Sequence, residues 1–136
     1  MDAFDADVLI YAAAAGHPAG ERVRALFPPE MGGLAGLGSV LLLPEVLAKP
    51  MQDGATEEVR ALVGLLSRLE LRVADAATAE VATSLATTHR LRAADAIHLA
   101  TAVVAGADRF ITNNRRDFPT TITEIVVTYP EALDAC

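Results

Sequence analysis

Short apolar runs alternate along the chain with longer stretches whose apolar residues recur at helical spacing. The pattern predicts a strand over residues 3–7 and a helix over 8–15, stopped by Gly16 and followed by Pro18. A second helix over 18–27 carries Val23, Leu26 and Phe27 on one side and is closed by Pro28-Pro29. The glycine-rich segment 32–38 holds a short strand at 34–37, after which Ser39 caps a helix carrying Leu41, Leu42, Glu45, Val46 and Leu47. Residues 55–69 form an amphipathic helix, with Val59, Leu62, Val63, Leu65, Leu66 and Leu69 in register. A strand at 71–74 leads to Asp75, which caps a helix over 76–90; residues 91–93 connect to an almost wholly apolar helix, 94–105, ended by Gly106. Strands at 109–112 and 124–128 complete the series. This alternation is the signature of an α/β fold, a parallel sheet covered by helices. With no repeat, linker or low-complexity tract, one domain over 1–136 is expected.

Composition changes little in that picture but narrows the chemistry. Hydrophobic residues make up 52%, enough for a core without disulfide staples, and the lone Cys136 reads as an incidental exposed thiol. The absence of Trp and an aromatic content of 4% argue against a stacking platform for single-stranded bases. The opening MDAFDADVLIYAAAAG is a poor signal peptide and too short to span a membrane, so a soluble cytoplasmic protein is expected. A net charge of −7 opposes broad attraction to nucleic acid. It does not exclude a nuclease, because carboxylates dedicated to a metal count as negative here and bound ions reverse the local field.

Three acids stand in positions that call for an explanation. Asp5 lies at the exit of the first strand, where parallel α/β sheets bind ligands, with Asp7 two residues on. Asp95 opens the apolar helix AADAIHLATAVVAG; a helix cap is the competing reading. Glu45 sits between Val40-Leu41-Leu42-Leu43-Pro44 and Val46-Leu47. It either faces solvent, pairs with Lys49 for about 0.3–0.5 kcal/mol, or serves a site. Packed together, such carboxylates raise one another's pKa unless a cation is present. Mg²⁺ or Mn²⁺ takes oxygen ligands and keeps water that can attack phosphorus. His17, His89 and His98 lack zinc-type spacing, and His98 reads as a packed imidazole with its nitrogens satisfied. Neither a phosphate loop nor a dinucleotide fingerprint is present. The polar run Thr112-Asn113-Asn114-Arg115-Arg116-Asp117-Phe118 follows a strand, and Asn114 or Asp117 could complete the metal shell from the same sheet edge.

These residues fall into a pattern. Asp5-Ala6-Asp7-Val8-Leu9-Ile10-Tyr11 resembles the opening of the PIN-domain ribonucleases, where Asn or Ser usually occupies the place of Asp7. Pro44-Glu45-Val46 resembles their central helical Glu, the segment from Arg92 to Ala102 their third acidic motif, and the segment from Phe110 to Phe118 the strand and loop that end their site. The resemblance implies a three-layer α/β/α sandwich with a parallel sheet of about five strands in the order 3-2-1-4-5. It further implies Mg²⁺- or Mn²⁺-dependent endoribonuclease activity. Members of this size are commonly VapC-type toxins, often homodimers, each held by a protein antitoxin. Carried onto this chain, it makes Asp5, Glu45, Asp95 and Asn114 the metal and catalytic residues. Thr112 supports Asn114, and Asp7 and Asp117 become neighbours that either touch the metal or orient water.

Arg90, Arg92, Arg115 and Arg116 flank these motifs and are candidates to hold substrate phosphates, with solvated surface charge as the alternative. Two other functions fit less of the pattern. A catalytically weak PIN-fold protein would use the acidic groove to dock a basic partner peptide. A phosphotransfer receiver would need a lysine late in the sheet, and the only lysine is Lys49.

Overall fold

Alternation with period two sends Ala3 and Phe110 to one face of the sheet and Phe4 and Ile111 to the other, so each face demands a helical cover. In the computed structural model, which describes residues 1–30 and 32–133, five parallel strands meet that demand. They are β1 (Asp2–Phe4), β2 (Gly36–Ser39), β3 (Leu69–Arg72), β4 (Arg109–Ile111) and β5 (Val126–Thr128), arranged 3-2-1-4-5. Ala3 stands opposite Leu37 on one side and Phe110 on the other. These three, with Val127, pack beneath α5 (Ala76–His89) and α6 (Ala93–Val104). Phe4, Ile111 and Leu69 point the opposite way, into a second core shared with α1 (Ala6–Ala13), α2 (Pro18–Arg24), α3 (Leu42–Gln52) and α4 (Thr56–Leu66). The result is the expected three-layer sandwich, with β1 at its centre and every neighbour parallel. Cys136 lies outside the described residues.

Several boundaries differ from expectation, each for a local reason. β1 stops at Phe4 because Asp5 leaves the sheet to cap α1, its Oδ1 accepting the Ala6 N–H at 2.8 Å. Asp7 therefore lies in the first turn of a helix, not in a strand. β2 runs two residues later than the apolar run suggested. A Cβ on Gly36 would sit 2.4 Å from the Asp2 carbonyl oxygen, so the glycine belongs inside the sheet, where β1 approaches closely. The helix expected through residue 69 ends at Leu66, and Leu69 begins β3, buried in the same core by a strand. Asp75 caps α5 as expected, accepting from the Thr78 N–H at 2.9 Å.

Candidate functional site

The strand order reverses direction between β1 and β4, which opens a crevice at the carboxyl ends of those two strands. Asp5 and Thr112 are the first residues beyond them. The Asp5 N–H donates to the Ile111 carbonyl at 2.9 Å, and the Thr112 hydroxyl donates to Asp5 Oδ2 at 2.8 Å. Thr112 Oγ1 also accepts the Asn114 N–H at 3.1 Å, so one hydroxyl joins the first acid to the polar loop. Asp5 is only 5% exposed. Burial pushes its carboxyl above the usual range, partly offset by the Thr112 hydrogen bond.

Asp7 projects from the first turn of α1 toward the same loop, its Oδ2 accepting the Asn113 N–H at 3.0 Å. Its Oδ1 is buried and has no hydrogen-bond partner among the described residues. Burial, then the charge of Asp5, drives the Asp7 carboxyl up to about 7. Asp95 lies in the first turn of α6. The helix-cap reading fails for it, because Arg92 occupies the cap position and no side-chain cap bond is made there. Burial raises the Asp95 carboxyl, and the charges of Asp5, Asp117 and Glu45 raise it further.

Glu45 is placed differently from the expectation of a carboxylate trapped in an apolar helix. Leu43 and Pro44 beside it are exposed, and its own side chain is 35% exposed at the rim. The bridge to Lys49 does not form either: Lys49 pairs with Asp53 at 3.4 Å. Glu45 instead meets His98, with Nε2 and Oε1 3.0 Å apart. His98 is buried as expected, but its nitrogens are not both satisfied, since Nδ1 has no partner among the described residues. Nothing in the sequence linked the two, because they lie on helices from opposite layers.

Asn114 turns both ends of its amide to Asp117: Nδ2 donates to Asp117 Oδ2 at 2.9 Å, and Oδ1 accepts the Asp117 N–H at 3.2 Å. Arg115 pairs with Glu131 and lies over the Tyr129 ring, 4.5 Å from its centroid, so it is engaged away from the acids. Arg90, Arg92 and Arg116 are exposed; Arg90 ends α5 in a left-handed conformation and Arg92 precedes α6.

Asp5, Asp7, Glu45, Asp95 and Asn114 line one open recess of about 410 Å³ together with Ala6, Tyr11 and Asn113. Sequence reasoning missed Tyr11 and Asn113; the helical spacing of Tyr11 from Asp7 was the available signal. A recess of about 470 Å³ between α5 and α6 is lined by Ala, Thr and Ile and holds no titratable group. Among the described residues, no three His, Cys, Asp or Glu side chains are already drawn together tightly enough to hold an ion. The donor set still suits a hard divalent cation. It consists of oxygen ligands, one with an orphaned buried oxygen, and three carboxyls that burial, then neighbouring negative charge, raises.

Fold and recess together define a doubly wound α/β protein with an acidic crevice at its topological switch point. Within that class the chain belongs to the PIN domain family, whose model matches residues 3–121. Two solved structures share the fold over nearly their whole length. One is a chain of a toxin–antitoxin complex from Klebsiella pneumoniae, 25% identical with a TM-score of 0.73, covering 96% of this chain and 98% of that one. The other is a chain of VapBC2 from Rickettsia felis bound to a DNA fragment from its promoter, 16% identical with a TM-score of 0.71, covering 94% and 97%. No curated protein sequence was found to match. Among the described residues no helix is long and apolar enough to cross a membrane.

Proposed function

We propose that this chain, acting as one domain over residues 1–136, is a Mg²⁺- or Mn²⁺-dependent endoribonuclease and the VapC-type toxin of a toxin–antitoxin pair in the cytoplasm. The observation that carries the reading is the shared recess, in which Asp5, Asp7, Glu45 and Asp95 face one space and burial, then like charge, raises Asp7 and Asp95. In this reading Asp5, Glu45 and Asp95 hold the ion, Asp7 adds its orphaned oxygen or orients water, and Asn114, steadied by Thr112 and Asp117, borders the fourth side. When bound, the cation supplies charge neutralisation and a water acidic enough to attack a phosphodiester. The exposed Arg90, Arg92 and Arg116 remain the candidates for gripping phosphate.

The toxin role is supported by likeness to a toxin–antitoxin complex at 25% identity over nearly the full chain. The homodimer is proposed on family resemblance alone. Asp95→Asn should abolish Mn²⁺-stimulated RNA cleavage, with EDTA as control, while leaving the fold intact; undiminished cleavage would sink the site. A short upstream open reading frame encoding a DNA-binding N-terminus would support the pairing.

A second reading, a catalytically weak PIN-fold protein whose acidic groove docks a basic peptide, is favoured by the engagement of Arg115 with Glu131 and Tyr129. Co-purification of a partner, with no nuclease activity in the freed protein, would select it.

A further inference from the structure

Tyr11 lies one helical turn beyond Asp7 on α1, so the two share a helix face, and both line the acidic recess. The Tyr11 ring belongs to neither apolar core. It lies flat against the His17 imidazole instead, with ring centroids 4.5 Å apart and planes inclined by only 8°. The His17 ring is held by the backbone, and the Tyr11 ring stacks on it. His17 is the cap of α2, its Nδ1 accepting the Gly20 N–H at 3.3 Å. The two helices approach so closely that a Cβ on Gly20 would fall 1.9 Å from the Tyr11 carbonyl oxygen. Both residues remain half-buried, and the Tyr11 hydroxyl makes no hydrogen bond among the described residues.

A half-exposed, stacked ring pair beside a row of carboxylates contributes little to the core, but it suits a flat aromatic ligand. The setting favours a nucleobase. A net charge of −7 and the engagement of Arg115 leave few cations beyond Arg90, Arg92 and Arg116 to hold RNA, whereas base stacking works at any net charge. We propose that the Tyr11–His17 pair is a nucleobase platform, on which an unpaired base next to the scissile phosphate stacks. Cleavage then falls in single-stranded RNA, where bases are free to leave their neighbours. The scarcity of aromatics argued against such a platform; the fold assembles one from a tyrosine and a histidine. This inference rests on the RNA-cleaving reading above.

The test measures binding of short single-stranded oligoribonucleotides carrying 2-aminopurine to Asp95→Asn protein, with cleavage KM and kcat in the otherwise unaltered protein as a second readout. The probe should be quenched on binding. Tyr11→Leu and His17→Ser, the latter keeping a capping side chain, should each weaken binding or raise KM by roughly tenfold. Tyr11→Phe should match the parent, which also guards against a folding artefact. An oligonucleotide abasic at the flanking position should bind Tyr11→Leu and parent alike. Should the Asp95→Asn background bind no RNA, the KM ratio decides. Parent-like affinity in Tyr11→Leu, or an equal loss on the abasic probe, overturns the platform while cleavage by the unaltered protein leaves the nuclease standing. If the unaltered protein neither binds nor cuts RNA, both fall.

Discussion

His98 Nε2 stands 3.0 Å from Glu45 Oε1, tying a fully buried ring on α6 to a rim carboxylate on α3. Donation from Nε2–H to the carboxylate leaves Nδ1 as the bare acceptor, which agrees with Nδ1 being the nitrogen without a partner. The imidazole thus orients a carboxylate that no other described side chain holds. Removing it in His98→Leu should lower Mn²⁺ affinity by roughly tenfold or more, as loss of an orienting partner does. His98→Gln, which keeps a donor able to reach Glu45, should recover most of it. Titration calorimetry reads the result; equal affinity in His98→Leu and parent would show that the contact is only packing.

The Thr112 hydroxyl serves two partners at once, giving its proton to Asp5 and accepting from the Asn114 N–H. Thr112→Val keeps the shape and removes both bonds, so it should cost about 1.5–3 kcal/mol in urea unfolding. Thr112→Ser should cost much less. A valine variant as stable as the parent would mean that the Asp5 carboxyl finds another donor.

Asp7 makes stability depend on pH in a direction that can be worked out. Its carboxyl is raised from 3.8 to about 7, so the folded chain holds the proton more tightly than the unfolded one. The associated stability is fully present below about pH 4 and lost as pH rises through about 7. Metal-free protein should therefore melt lower at pH 8 than Asp7→Asn does, while the two converge near pH 4. Saturating Mn²⁺ should narrow the gap at pH 8. Thermal melts across that range check the prediction, and a parent curve rising between pH 4 and 7 relative to the variant contradicts it.

Two glycines separate rigid from yielding neighbours. A Cβ on Gly20 meets the Tyr11 carbonyl, while one on Gly38 meets the Leu42 Cδ1 methyl at 2.4 Å, which can swing aside. Gly20→Ala should cost about 1–3 kcal/mol or more as α1 and α2 are pushed apart, and Gly38→Ala distinctly less. Denaturant midpoints of the two variants give the comparison.

What could be read in advance were features that depend on one stretch of chain: the alternation behind the parallel sheet, and Asp5 and Asp95 placed beside segment ends. Long-range partners were hidden. Glu45 was singled out because its neighbours in sequence are apolar, yet Leu43 and Pro44 face solvent, and what distinguishes Glu45 is a histidine 53 residues away. Asp95 was legible as a first-turn residue, but a cap competed with that reading because acids favour helix starts, and the cap falls only once Arg92 is seen to hold that position. Strand ends were misjudged where a side chain diverts the backbone, as Asp5 does.

The hydrogen bond between Asp5 and Thr112 joins residues 107 positions apart. During synthesis, the first acid leaves the ribosome long before the strand that must lie beside it exists. A nascent chain without residues 109–112 has no β4, no Thr112 hydroxyl and no wall for the crevice. Domains emerge from the N-terminus onward, and contacts distant in sequence close last. The acidic recess therefore cannot assemble around Asp5 until Thr112 has left the ribosome, so any chemistry it performs waits on more than a hundred further residues of synthesis.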